Sequence, residues 1–276
     1  MRISIAAVAL LLLAGCQSLD RGGYGLPDDD PPGGPADPPA EAGAPVLQID
    51  VSGGFVLIGW DFAAVPQLTV YADGRAIVHG PQILIYPGPA LPNLQVSTAD
   101  VDALVAAARD AGLLEVPDYG QPMIADLPTT FVTLTLNGQT YRHAANALDI
   151  EAPSAADLGI TDEQMAARTA LADFVAAAQD LVSPDSEPLP IEAFGVFAWP
   201  ASEAVDPEFE PQVLPWPLDL ALADATECTL VEGADAEALL DTLVDANQRT
   251  QFTHDGVTYD VFFRPLLPHE SDCTDL

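Results

Sequence analysis

Apolar and polar positions alternate with period two at several places along this chain, and three other segments carry the helical period. Leu47, Ile49 and Val51 alternate with Gln48 and Asp50, the pattern of a strand with one buried face. Gly53-Gly54 interrupts it, and apolar residues resume over 55–58. Residues 68–71 and 75–78 flank Asp73-Gly74, which predicts a β-hairpin closed by a type I′ turn. Residues 83–86 predict another strand. Asn137-Gly138 and Asp255-Gly256 each separate two apolar-alternating runs (131–136 from 139–144, and 250–254 from 257–263) and predict two more hairpins. Residues 194–199 and 228–231 are further strand candidates.

Val101, Leu104, Val105 and Ala108 fall at i, i+3, i+4 and i+7, behind a capping box at Ser97 and Asp100 and ahead of a stop at Gly112. Thr161 and Gln164 cap a longer helix that carries Leu171, Phe174, Val175, Ala178 and Leu181. Gly233 and Asp235 open a third, with Leu239, Leu240, Leu243 and Val244 on one face. Runs of hairpins interleaved with amphipathic helices define an α+β fold class with mostly antiparallel sheets and packed helices. Residues 46–182 are expected as one α+β domain, 183–190 (Ser-Pro-Asp-Ser-Glu-Pro-Leu-Pro) as a linker, and 191–276 as a smaller α+β unit.

Ahead of the first strand this patterning is absent. Residues 17–45 hold Asp28-Asp29-Asp30, Pro31-Pro32 and Pro38-Pro39 with almost no large apolar side chain. Such a segment buries too little surface to offset its ordering entropy and is expected as a disordered tether. At about 3 Å per residue its full extension reaches roughly 90 Å. Its adjacent acids lack the alternating spacing and glycine hinge of a calcium loop.

The first residues differ again. Arg2 precedes an apolar run over 3–13 that is interrupted only by Ser4. That run is too short to span a bilayer core, which takes about 20 residues, but matches the hydrophobic region of a secretory signal. It ends in Leu13-Ala14-Gly15-Cys16, which resembles the lipobox of bacterial lipoproteins. The resemblance implies cleavage after Gly15, diacylglyceryl modification of the Cys16 thiol, and a protein held outside the cytoplasm on the cell membrane, or on the outer membrane in a Gram-negative cell. More than one acyl chain makes such an anchor stable.

Composition narrows the partners. Eight Lys+Arg face 42 Asp+Glu, for a net charge of −34, and every basic residue is arginine. A surface of that sign repels nucleic-acid phosphates, so nucleic-acid binding is excluded. With 49% hydrophobic residues the chain supports a sizeable core. Besides Cys16 there are two cysteines, Cys228 and Cys273, an even pair suited to an oxidising compartment, and they are expected to form a disulfide.

Several chemistries have no residues to run on. Without lysine there is no P-loop lysine, Schiff-base lysine or Ser-x-x-Lys acyl enzyme. No Gly-x-Ser-x-Gly, His-Glu-x-x-His or Gly-x-Gly-x-x-Gly motif occurs. No catalytic residue, metal ligand or cofactor is therefore assigned. Of the four histidines, His79, His143 and His254 lie in or beside hairpin strands and are read as structural. His269 with Cys273 could mimic a Cys-His nucleophile pair, a reading that competes with the disulfide. Arg75, Arg142, Arg249 and Arg264 flank hairpins and are read first as salt-bridge partners. The aromatic stretches 194–200 and Trp216-Pro217 are read as core before ligand groove.

Tyr71-Ala72-Asp73-Gly74-Arg75, Pro89-Ala90-Leu91-Pro92, Asp118-Tyr119-Gly120 with Pro128-Thr129-Thr130, and Arg264-Pro265-Leu266-Leu267-Pro268 resemble recurring segments of secreted lipoproteins from high-GC Gram-positive bacteria. These segments are structural punctuation, and the resemblance brings no activity with it. The expected function is that of a membrane-anchored, non-catalytic binding protein of the cell envelope, with an envelope protein or glycan as partner. Two alternatives stay open: an envelope hydrolase using paired carboxylates, and an inhibitor or immunity-type lipoprotein.

Overall fold

The computed structural model describes residues 43–56, 59–80, 91–150, 154–180, 187–202 and 210–276. Cys16, the signal segment, nearly all of the tether and the strand expected over 83–86 lie outside these residues. The expected α+β class is the observed one, with two mostly antiparallel sheets. Both belong to one compact unit, Pro38–Leu276.

The strands of the first sheet are β1 (Pro45–Ser52), β2 (Leu68–Tyr71), β3 (Arg75–Val78), β4 (Pro92–Gln95), β5 (Thr129–Leu136), β6 (Gln139–Asn146) and β7 (Glu187–Pro188), in the spatial order β6-β5-β1-β2-β3-β4-β7. The helices that precede the second sheet in sequence are α1 (Trp60–Ala63), α2 (Thr98–Asp110), α3 (Ala155–Leu158) and α4 (Asp162–Gln179). The second sheet contains β8 (Ala193–Pro200), β9 (Val213–Pro215), β10 (Thr229–Glu232), β11 (Gln251–His254) and β12 (Val257–Pro265), ordered β10-β8-β12-β11-β9, with α5 (Ala234–Leu243). β9 runs parallel to β11, the exception in that sheet. Glu187–Pro188, inside the segment expected as a linker, is an edge strand of the first sheet. A proline is tolerated there because an edge strand has one side without ladder bonds.

Local chemistry explains the element ends. Ser97 Oγ accepts from the Asp100 amide, and the Asp100 carboxylate accepts from the Ser97 amide, so two orphan donors of α2 are satisfied. α2 closes in a Schellman turn: Leu113 N–H reaches Ala108 O, Gly112 N–H reaches Arg109 O, and Gly112 takes φ +75°. Thr161 and Gln164 form the same box on α4. Asn137-Gly138 and Asp255-Gly256 have positive φ at both positions, as type I′ turns require. The turn expected at Asp73-Gly74 is different. Its loop has three residues, only Gly74 has positive φ, and Gly74 N–H bonds back to Tyr71 O. That is the type I turn with a bulge, the commonest three-residue solution. Val244, expected on the buried face of α5, is 74% exposed because the helix stops at Leu243.

One face of the first sheet packs on α2 and α4, through Leu47, Ile49, Val132 and Leu134 against Val101, Leu104, Leu171 and Phe174. The second sheet packs Phe194, Val196, Phe252 and Phe263 on Leu239, Leu243 and Trp216. Trp216 therefore belongs to the core. A third small cluster joins Val65, Tyr71 and Ile77 of the first half to Leu267 of the C-terminal tail. α1 adds a second junction, with Phe62 against Phe197 at 5.4 Å between ring centroids. Gly59 sits at φ +87°, and a Cβ there would meet the Phe262 ring at 2.7 Å, so the chain entering α1 can approach the second sheet only as glycine.

Candidate functional site

Alternation decides what the other face of the first sheet carries. With Leu47 and Ile49 turned to the helices, Gln48 and Asp50 point the opposite way. On β5 the same period places Phe131 and Thr133 beside them, since Gln48 pairs with Thr133 and Asp50 with Phe131. Thr133 pairs in turn with Arg142 on β6. The result is a polar ledge across three strands, Gln48-Thr133-Arg142, with Phe131 39% exposed next to it.

The C-terminal tail forms the opposite wall, after β12. The Cys228–Cys273 disulfide, with Cα atoms 5.8 Å apart, fastens the tail to the residue just before β10. The cleft between ledge and tail has a volume of about 610 Å³ and includes Asp50, Asp61, Arg142, Arg264, Glu270 and Asp275 in its lining. This size falls within the range of small-ligand and peptide side-chain sites.

The tail is held by a network of buried polar groups. Arg264 Nη2 meets Glu270 Oε1 at 2.8 Å, with side chains only 5% and 4% exposed. Glu270 Oε2 also accepts from the Leu267 amide at 2.6 Å, and Arg264 Nη1 donates to the Pro265 carbonyl. His269 reaches across to the first sheet. Gln48 Nε2 lies 3.2 Å from its Nε2, and the Tyr71 hydroxyl lies 2.9 Å from its Nδ1. An amide nitrogen can only donate, so Nε2 accepts and Nδ1–H donates to Tyr71. Burial lowers the pKa of His269 from its ordinary value, with Arg264 adding to the effect against Glu270 and Asp275, and this keeps the ring neutral. Burial drives the Tyr71 hydroxyl pKa well above its ordinary value, despite Arg75 stacked 4.7 Å over its ring.

The carboxylates of the cleft are unlike one another. Burial raises the pKa of Asp50; the Val51 amide at 2.8 Å and the nearby Arg264 oppose the rise, and Asp61 adds to it. The amide and hydroxyl of Ser271 hold the Asp275 pKa below the usual carboxylate range.

The expected disulfide is present, so Cys273 is no thiol nucleophile and His269 has Tyr71 and Gln48 as partners instead. His143 is buried with both ring nitrogens engaged: Nε2–H donates to Leu113 O at 3.0 Å, and Nδ1 accepts from the Tyr119 hydroxyl at 2.7 Å. His254 lies 3.6 Å from Asp255. His79 lines a cavity of about 210 Å³ with Trp60 and Phe262. Arg75 pairs with Asp73 at 2.9 Å and Arg264 with Glu270, as expected; Arg142 has no ion-pair partner among the described residues. The tail's link to Tyr71 and Gln48 had no sequence signal, because these partners are 198 and 221 residues from His269. Among the described residues, no group of three or more His, Cys, Asp or Glu is placed to hold a metal ion, and no helix is long and apolar enough to cross a membrane.

No protein-family model matches the chain, and no match to a curated protein was found.

Proposed function

We propose that this protein is an extracytoplasmic lipoprotein that binds an envelope ligand without chemical turnover, with the ligand seated in the cleft between the first sheet and the C-terminal tail. The observation that carries this reading is the construction of that cleft: one wall is a sheet face and the other is a strap fastened by the Cys228–Cys273 disulfide. A structural disulfide belongs in an oxidising compartment, in agreement with the lipobox-like Leu13-Ala14-Gly15-Cys16. The groups best suited to proton transfer, His269 and His143, spend both ring nitrogens on holding the fold together. Arg142, Thr133 and Phe131 present the mixed cationic, hydroxyl and aromatic surface typical of a recognition site.

The paired-carboxylate hydrolase is the second reading, and Asp50 favours it, because carboxyls whose pKa values are pushed in opposite directions within one cleft are a common acid/base arrangement. Retention on isolated cell envelopes separates the two. The purified full chain is expected to be retained, and Thr133→Trp, which fills the cleft, to be released. Soluble fragments shed from the wall glycan, or equal retention of both proteins, would overturn the binding reading.

A further inference from the structure

The two sheets have four edges, and three of them are blunted. β7 has two residues and ends in Pro188, β9 has three and ends in Pro215, and β10 has four and ends in Glu232. Short strands, prolines and charges are the usual means of preventing further pairing. β6 is neither short nor broken by proline, and its one charged residue is Arg142. It runs for eight residues, Gln139 to Asn146, without proline or acid, in a chain with 42 acidic residues.

The register fixes which of its backbone groups are unpaired. A two-residue turn makes Leu136 and Gln139 the closing hydrogen-bonded pair, and such pairs recur at every second residue. Tyr141, His143 and Ala145 thus spend their amides and carbonyls on β5. The corresponding groups of Thr140, Arg142 and Ala144 point away from the sheet, and all three residues are exposed. The next carbonyl, that of Asn146, is taken by Arg168 Nη2 at 2.7 Å, which ends the open stretch.

We infer that β6 accepts an extended segment of a partner protein as an added strand, with a carboxylate of that segment opposite Arg142. Main-chain bonds to the three outward residues supply affinity, and Arg142 supplies selectivity. A second copy of this chain is the wrong occupant. The antiparallel register that pairs all three outward residues of two copies, Thr140 with Ala144 and Arg142 with Arg142, sets like charges directly opposite, and these repel. The net charge of −34 adds to that repulsion, whereas the charge that β6 itself presents is the cation of Arg142. This inference rests on the binding reading above only in taking the protein to act by association.

The probe is a capped heptapeptide, Val-Thr-Val-Glu-Val-Thr-Val, titrated into the full chain and followed by amide hydrogen exchange. The outward amides of Thr140, Arg142 and Ala144 are expected to gain tenfold or more protection. The peptide N-methylated at alternate amides is expected not to bind. Arg142→Glu is expected to weaken binding about tenfold and to prefer the peptide with lysine in place of glutamate. Ala144→Pro removes one outward donor without touching the β5 ladder, so it is expected to fold and to lose binding. Unchanged exchange at the three amides, or no charge preference in Arg142→Glu, would overturn the inference. So would sedimentation of the free protein as a dimer with these amides protected. Envelope retention through Thr133 reads the cleft and not the β6 backbone, so the two readings can fail separately.

Discussion

The Tyr71 hydroxyl and His269 Nδ1 meet at 2.9 Å across 198 residues of sequence. Tyr71 is fully buried in the first sheet, and His269 belongs to the tail that leaves the second. The bond therefore joins the two sheets at the point where the strap forms the cleft wall. Arg264, Glu270 and the disulfide lie in the same thirteen-residue tail, so the wall is held at its root, its middle and its end.

The buried Arg264–Glu270 pair gives a first prediction. Removing one partner leaves the other charged and unpaired inside the protein. Glu270→Gln and Arg264→Met should each lower the unfolding free energy by about 3–5 kcal/mol. The double replacement Arg264→Met with Glu270→Leu should recover much of the loss, because a well-packed apolar pair carries no desolvation penalty. Urea denaturation of the three variants tests this, and a double variant weaker than both singles would refute it.

Reduction of the disulfide gives a second. The bridge closes a separation of 45 residues, for which chain entropy predicts about 4 kcal/mol of stabilisation. After reduction and alkylation the strap residues 264–276 should exchange their amides before either sheet does. Uniform loss of protection over the whole molecule would show that the strap has no independent role.

Histidine titration gives a third. Burial lowers the pKa of His79, His143 and His269 from an ordinary value of 6.5, so the unfolded chain binds protons more readily than the folded one. Their contribution is complete above 6.5 and is lost as the pH falls below it toward the folded values. Ordinary carboxylates titrate at lower pH, so they leave this window largely undisturbed. The melting temperature should drop between pH 7.5 and 5.5, and His143→Gln should flatten the drop. A flat or rising profile in the wild type would contradict the assignment.

The turns give a fourth. Asn137 and Asp255 take φ +53° and +50°, whereas Asp73 stays outside the left-handed region. A β-branched residue there is strained by about 1–2 kcal/mol. Asn137→Val and Asp255→Val should therefore destabilise more than Asp73→Val, whose exposed pair with Arg75 contributes little. Thermal melts compare the three directly.

Much of this fold could be read locally. The hairpins at Asn137-Gly138 and Asp255-Gly256, the capping boxes at Ser97 and Thr161, and the Gly112 stop are set by neighbours in sequence, and they are where patterning placed them. The Asp73-Gly74 turn was legible as a turn, but its type depends on a one-residue difference in loop length that alternation does not encode. Short elements such as α1 and β7 owe their form to tertiary contact: α1 packs Phe62 on Phe197, and Glu187–Pro188 pairs with β4. The site was the least legible part. Gln48 and Asp50 could be read as the polar face of a strand, but nothing local says that His269 closes over that face. Arg168 shows the same limit, a buried arginine whose Nη2 donates to the carbonyls of Asn146 and Ala147 at 2.7 Å each, partners more than twenty residues away.

The proposed function places the protein outside the cytoplasm at the end of a lipid anchor. Cells fed an alkyne fatty acid and expressing the full chain, or its Cys16→Ser variant, test this directly. Label is expected on the wild type and none on Cys16→Ser. Equal label on both proteins, or none on either, would contradict it.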